Sequence, residues 1–271
     1  MKKVIIALDL HGTLLDVNWK ITTGNRELLL GLLNDMSPYV DFYICTGNDY
    51  SFVEKYVDKD ILNLIHGFVL ESGCLAYKSS QKTVLTDEST TRKTKELEEY
   101  LKSLKLPFIK YFAKREASIS IFTCDESGGE VPAKFYEIIK YELDHHEYKD
   151  DFCVTWSNVA IDIIPTGYSK WNTLKKHAED KTIISFMDSF NDKEIALYSD
   201  YCILPANSSE ELIFYLRNNN RLIFPLKQSH FIKNHGYIAS TKYTDAVIEG
   251  LNYLKPNIVG VRLATPNQEN K

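Results

Sequence analysis

Four short segments hold residue types that could be joined into one reactive site. Asp9-Leu10-His11-Gly12-Thr13 follows directly on the apolar run Val4 to Leu8, and Thr46-Gly47-Asn48 follows Val40 to Cys45. Lys170 opens a helical pattern, and Asp188-Ser189-Phe190-Asn191-Asp192 follows Thr182 to Met187. A carboxylate such as Asp9 can attack phosphorus as a nucleophile. Asp9 and Asp188, with carbonyl oxygens and water, offer the hard oxygen ligands that Mg2+ takes in octahedral geometry. A metal held there would screen a phosphate dianion from the carboxylate, contributing on the order of several kcal/mol to a transition state. The Thr46 hydroxyl and the Lys170 ammonium would supply a donor and a fixed positive charge for the transferring oxygens, the electrostatic help that phosphoryl transfer needs most. His11 is the unusual part: it lies two residues past Asp9, where a further acid could serve as proton carrier. An imidazole titrates near 6.5 and can both give and take a proton around neutral pH.

These segments need a scaffold that brings strand ends together. Val4 to Leu8 reads as a strand buried on both faces of a parallel sheet. A helical pattern over Asn25 to Leu33, a second strand at Val40 to Cys45, a short helix at Phe52 to Val57 and a third strand at Gly67 to Leu70 complete a βαβ rhythm. From about Lys78 the texture becomes Ser-, Thr-, Lys- and acid-rich. A helix at Lys93 to Leu104, a strand at Ala117 to Cys124, a Gly128-Gly129 loop, a helix at Ala133 to Leu143 and a strand pair at Phe152 to Trp156 and Val159 to Ile164 then read as an inserted α+β module. The first pattern resumes with a helix at Lys170 to Ala178, a strand at Thr182 to Met187, a helix beginning near Asp192 and a strand at Tyr201 to Leu204. The expectation is an α/β protein with a Rossmann-like parallel core, residues 1–78 and 166–271, split by a cap at 79–165. In such sheets ligands bind outside the carboxyl ends of the strands, so all four segments could converge on one crevice.

On these motifs the chain resembles a haloacid dehalogenase-like (HAD) hydrolase of the Cof-type, type IIB group. That group has a D-x-D-G-T-[LV] first motif, a Ser/Thr second motif, a Lys third motif and a G-D-x-x-N-D fourth motif, matched here by DLHGTL, ICTGN, SKWNTL and MDSFND. The insertion between the second and third motifs resembles the group's cap, and Pro205-Ala206-Asn207 and Tyr243 to Leu254 resemble its strand-end Asn and closing helix. The resemblance implies that Asp9 forms an aspartyl-phosphate, that Thr46, Gly47, Lys170 and Asn191 hold the phosphoryl group, and that Asp9, Asp188 and the backbone carbonyl of His11 ligate Mg2+. It implies Asp192 as support for the metal or for Lys170. It further implies a phosphatase acting on a small phosphorylated metabolite, with sugar phosphates the leading class. The chain departs from the group at His11, which replaces the acid/base Asp, and at Met187 and Trp171, which replace small residues and read as packing changes. A phosphotransferase or phosphomutase using the same intermediate, and a binder of phosphorylated metabolites with weakened turnover, remain as alternatives.

Composition narrows the partners. Over 271 residues, 32 Lys and Arg stand against 37 Asp and Glu, and no basic run offers nucleic acid an electrostatic footprint. The five cysteines form no C-x-x-C pair, and Cys45 reads as a buried strand residue, which fits a reducing compartment. The N-terminal apolar run is too short for a signal peptide and no stretch is long enough to span a membrane, so a cytoplasmic protein is expected. His145-His146 lacks ligand spacing and reads as a solvated face, the many Tyr and Phe read as core, and the last six residues read as a loose tail.

Overall fold

The structure is a computed structural model that describes residues 4–21, 23–78, 81–125, 128–129, 131–228 and 231–263; the expected tail lies outside them. The chain starts with β1 (Val4–Leu8), α1 (Thr23–Met36), β2 (Val40–Cys45), α2 (Tyr50–Tyr56), α3 (Lys59–Leu62) and β3 (Ile65–Leu70). Two further strands, β4 (Leu75–Lys78) and β5 (Gln81–Val84), fold back antiparallel on β3. The inserted module contains α4 (Glu88–Ser103), β6 (Tyr111–Ala113), β7 (Ile119–Phe122), a small ribbon of β8 (Cys124–Asp125) and β9 (Gly128–Gly129), α5 (Tyr136–Asp144), β10 (Phe152–Trp156) and β11 (Ala160–Pro165). The core then resumes with α6 (Lys170–Ala178), β12 (Thr182–Phe186), α7 (Lys193–Tyr198), β13 (Tyr201–Leu204), α8 (Glu210–Asn218), β14 (Ile223–Pro225), β15 (His235–Ile238) and α9 (Tyr243–Leu263).

The core sheet has the order β14-β15-β13-β12-β1-β2-β3-β4-β5, parallel from β14 to β3. Successive side chains point to opposite faces of a strand, and β1 shows the result. Ile6 and Leu8 pack with Leu29, Leu33, Val247 and Leu251 under α1 and α9. Ile5 and Ala7 pack on the other face with Leu174, Ile195 and Leu212 of α6, α7 and α8. Both faces are thus covered, which explains why the run is apolar throughout. Strand order reverses at β1, since the chain runs outward through β2 and β3 and later returns beside β1 as β12. The ends of β1 and β12 therefore diverge into a crevice.

The cap has its own four-stranded antiparallel sheet, β10-β11-β7-β6. Ile119 and Ile121 of β7 and Ile161 and Ile163 of β11 join Leu97, Leu101, Ile139 and Leu143 in a separate apolar core. The alternate residues, Ser120 and Asp162, face the other way, into the crevice over the core. Two expectations are corrected here. Gln81–Val84 hydrogen-bonds to β4 and so belongs to the core sheet, because the polar 79–95 stretch hides a hairpin whose exposed edge carries no apolar signal. Gly128-Gly129 is not a plain loop but pairs with Cys124 and Asp125. Strands β4, β6, β14 and β15 and helix α8 add to the elements read from the sequence; the strands are three or four residues each, too short for a period to show. The closing helix runs past Leu254 to Leu263, and no described helix is long and apolar enough to cross a membrane.

Candidate active site

Each functional side chain leaves the carboxyl end of a strand or opens a helix. Asp9 follows β1 and its N–H donates to the Phe186 carbonyl at 3.0 Å, so it is fixed against β12. Thr46 follows β2, its N–H bonded to the Val69 carbonyl at 2.8 Å, and its Oγ1 accepts from the Asn48 N–H at 3.1 Å. Lys170 is the first residue of α6, which is capped by Ser169 accepting from the Asn172 N–H at 3.1 Å. Gly73, at φ +103°, lets the chain after β3 pass against this cap; a Cβ there would lie 2.2 Å from the Ser169 carbonyl oxygen.

The center of the site is a buried charge cluster. Lys170 Nζ donates to Asp9 Oδ1 at 2.6 Å and to Asp192 Oδ1 at 2.5 Å, with all three side chains almost inaccessible to water. Burial alone would lower the Lys170 pKa, but Asp192 and Asp9 outweigh it and hold the ammonium well above the ordinary lysine range. Burial pushes Asp192 up to about 7, against the pull of Lys170. Asp188 goes well above the carboxylate range, first through burial and then through Asp9 and Asp192. Its Oδ1 accepts from Thr13 Oγ1 at 3.1 Å and its Oδ2 from Asn158 Nδ2, on the cap, at 3.0 Å. Oxygens of Asp9, Asp188 and Asp192 lie within 4.8 Å of one another, the one grouping of three such side chains among the described residues. Three acids against one ammonium leave excess negative charge out of water, an unfavourable state that a divalent cation would relieve. The all-oxygen donor set fits a hard ion of the Mg2+ kind.

Backbone geometry explains the glycine of the first motif. Gly12 adopts φ +90°, and a Cβ there would fall 2.2 Å from Asp188 Oδ2, so only glycine admits this carboxylate. Asn207, after β13, donates to the Gly12 carbonyl at 2.8 Å and accepts from the Tyr243 N–H at 3.1 Å, tying the first-motif loop to α9.

The structure thus brings Asp9, Thr46, Gly47, Lys170, Asp188, Asn191 and Asp192 to one place, and Asp9, His11, Thr46, Gly47 and Asn191 line one cavity of about 30 Å3. His11 Nε2 is buried with no hydrogen-bond partner among the described residues. Burial lowers the His11 pKa to about 4, only partly opposed by Asp16. The ring is therefore neutral at pH 7 and able to accept a proton, whereas the imidazolium that gives one is scarce. Cys45 is buried and its thiol is pushed up by burial, which leaves it inert.

Several site residues were not expected from the sequence, and most are on the cap. Arg115 donates from Nε to the Gly47 carbonyl at 3.1 Å and from Nη2 to Asn48 Oδ1 at 2.9 Å. Asp162 accepts from Ser120 at 2.5 Å and is pushed upward by burial. Glu71, after β3, accepts from the Glu116 and Ala117 N–H groups at 2.9 and 2.8 Å and so holds the entry to the cap. A signal existed for two of them: Glu71 ends the apolar run Phe68-Val69-Leu70 and Asp162 interrupts Ala160-Ile161-x-Ile163-Ile164. An acid in a buried strand needs a partner.

Comparison with known proteins places this geometry. Residues 6–127 match the family described as haloacid dehalogenase-like hydrolase. No curated protein matches the sequence. Among solved structures, a haloacid dehalogenase-like hydrolase from Bacteroides thetaiotaomicron superposes with a TM-score of 0.64 at 14% identity, over 93% of this chain and 100% of that one. The sucrose-phosphatase of Synechocystis sp. PCC6803, in complex with sucrose and phosphate, gives 0.64 at 16%, over 94% and 99%. The C-terminal domain of trehalose-6-phosphate phosphatase from C. albicans gives 0.59 at 16%, over 96% and 93%. At these identities the likeness is one of fold. Residues 6–127 are thus similar to the haloacid dehalogenase-like hydrolase family, and the fold that carries them is shared along 93% of the chain.

Proposed function

We propose that the protein is a Mg2+-dependent phosphatase that hydrolyses a small phosphorylated metabolite, with sugar phosphates the leading class, through an aspartyl-phosphate on Asp9. The observation that carries this reading is the buried Lys170 bridge between Asp9 and Asp192, set beside Asp188 and Thr46 at the strand ends. Lys170 holds Asp9 in place for attack. Thr46 Oγ1, the Gly47 backbone, Asn191 and Lys170 receive the phosphoryl oxygens. Asp9 and Asp188, with the His11 carbonyl, would hold the metal ion, and Asp192 would support it while keeping its bond to Lys170. When bound, such an ion supplies positive charge against the negative charge of the phosphoryl group.

His11 takes the place of the acid/base group. Its neutral ring favours removal of a proton from the water that hydrolyses the phosphorylated Asp9. The cap supplies cover and specificity. A cavity of about 30 Å3 has room for little more than a water molecule or two, so a metabolite enters only when Arg115 and Asn158 let the cap lift. The fold likeness to a sucrose-phosphatase and a trehalose-6-phosphate phosphatase supports the sugar phosphate class.

The test is phosphate release from an aryl phosphate. Turnover is expected with Mg2+ present, lost on chelation, and reduced by at least about 10³-fold in Asp9→Asn, which removes the nucleophile. A purified, folded protein that releases no phosphate from aryl or sugar esters, yet is stabilised by them against heat in a Mg2+-dependent way, would instead be a binder of phosphorylated metabolites.

A further inference from the structure

Beside the catalytic crevice lies a second, far wider cleft of about 430 Å3 between the core and the cap. Trp19, Phe52 and Tyr56 wall it on the core side and Tyr111 and Phe112 on the cap side. It abuts the crevice, since Asn48, Arg115 and Phe122 line both. Its volume falls in the usual range for small-molecule sites, about 300–1,000 Å3.

The core wall is a built surface. The Trp19 ring meets Phe52 at 5.5 Å and Tyr56 at 5.1 Å, both edge-on, and Phe52 and Tyr56 are 4.5 Å apart. Trp19 also reaches the His11 ring, at 6.2 Å, so the aromatic wall begins where the proton carrier ends. Its backbone sits at φ +60°, a left-handed conformation that bulky residues rarely adopt and that costs on the order of 1 kcal/mol or more. Asp16 enforces it: the Asp16 carbonyl accepts from the Trp19 N–H at 3.0 Å, and its Oδ1 accepts from the Asn18 and Lys20 N–H groups at 2.8 and 3.0 Å. On the cap, Tyr111 stacks on Phe122 at 4.6 Å and remains 39% exposed.

We propose that this cleft is the subsite for the alcohol portion of the phosphate ester, and that it selects a ring with a flat apolar face over an open-chain polyol. The inference rests on the phosphatase reading, which fixes where the phosphoryl group lies. Aromatic walls reward a flat C–H or π face. An open chain offers no such face, while the polar part of the lining, Asp49, Ser51, Lys55 and Lys114, can bond hydroxyls of either kind. A sugar ring and an aromatic ring both present such a face, and the experiment separates them.

The experiment uses full-length Asp9→Asn protein with Mg2+, which binds without turnover, titrated by calorimetry with glucose 6-phosphate, phenyl phosphate, glycerol 3-phosphate and inorganic phosphate. At least one ring ester is expected to bind about tenfold more tightly than glycerol 3-phosphate; the tighter of the two identifies the ring chemistry. Adding Tyr111→Ala, at an exposed cap position, or Trp19→Ala is expected to shrink that ratio below about threefold, and using the ratio cancels any shared effect on the phosphate end. Equal affinity for ring and open-chain esters, or a ratio that survives both substitutions, overturns the inference. If that happens while the wild type still releases phosphate, only this inference falls. If inorganic phosphate does not bind and no ester is hydrolysed, yet the ring esters are still selected, the phosphatase reading falls and the ring subsite stands.

Discussion

The crevice and the cleft share three residues and lie between the same two units, yet they are built on opposite principles. The crevice is narrow, and its charges are buried and bonded to one another, as in the bridge from Lys170 to Asp9 and Asp192. The cleft has more than ten times the volume, and its walls are largely rings that touch other rings, with Asp49, Ser51, Lys55 and Lys114 beside them. Buried charges tolerate little displacement, because an unpaired one costs several kcal/mol. Aromatic surfaces give graded, non-directional attraction. On the proposed reading the chemistry lies at the sheet ends of the core and the selectivity in the aromatic walls, so the second can be altered without disturbing the first.

Breaking the rigid half should have the larger effect. Lys170→Met removes the sole ammonium in the cluster and leaves Asp9 and Asp192 buried without it. A loss of about 3–5 kcal/mol is expected, read as a lower urea midpoint, together with loss of activity. If stability in the absence of metal were unchanged, the acid cluster would not depend on this bridge.

The intermediate effect lies at His11, on the border between the two regions. In the unfolded chain it takes up a proton as pH falls through about 6.5, whereas in the fold it does so only near 4. Its contribution is therefore complete above about 6.5 and is lost as pH falls from there toward 4, by about 1–3 kcal/mol. His11→Gln should lose less stability than the wild type between pH 7 and 4.5, which paired urea titrations measure. The same variant should lose about 10²-fold in activity as a proton acceptor goes. An identical acid sensitivity in both proteins would mean that the ring is not shielded as the structure has it.

Arg115→Ala should have the smallest effect, since it cuts only the clamp from the cap to Gly47 and Asn48. A three- to tenfold rise in KM with a modest change in kcat is expected for about 1 kcal/mol of lost binding. A collapse of kcat instead would move Arg115 from the boundary between the regions into the chemistry.

Much of the crevice was legible because each contribution is local. Asp9, Thr46 and Asp188 each follow a run of apolar residues, and Lys170 follows a Ser that caps its helix, so strand end and helix start could be read from adjacent residues. The cap contributions were hidden because their meaning depends on docking. Arg115 meets Gly47 across 68 positions of sequence and Asn158 meets Asp188 across 30. Phe52, Tyr56 and Tyr111 fell under the reading of Tyr and Phe as core, and Trp19 drew none, because such rings carry no periodic mark of facing a cleft. For the same reason the 79–165 limits of the cap took in β5, a polar strand that gave no sign of which sheet it would join.

By itself the sequence determined the split parallel core, the inserted cap and the identity of the groups at the strand ends, because hydrophobic period and strand-to-loop transitions are properties of neighbouring residues. Only the tertiary structure decided how those groups act on one another. Burial drives the His11 ring to its neutral form and raises Asp188, and the approach of Gly12 to Asp188 leaves no room for a Cβ. Docking of the cap sets an aromatic cleft beside the crevice. Those outcomes come from desolvation and from contacts between distant segments, which no local pattern encodes.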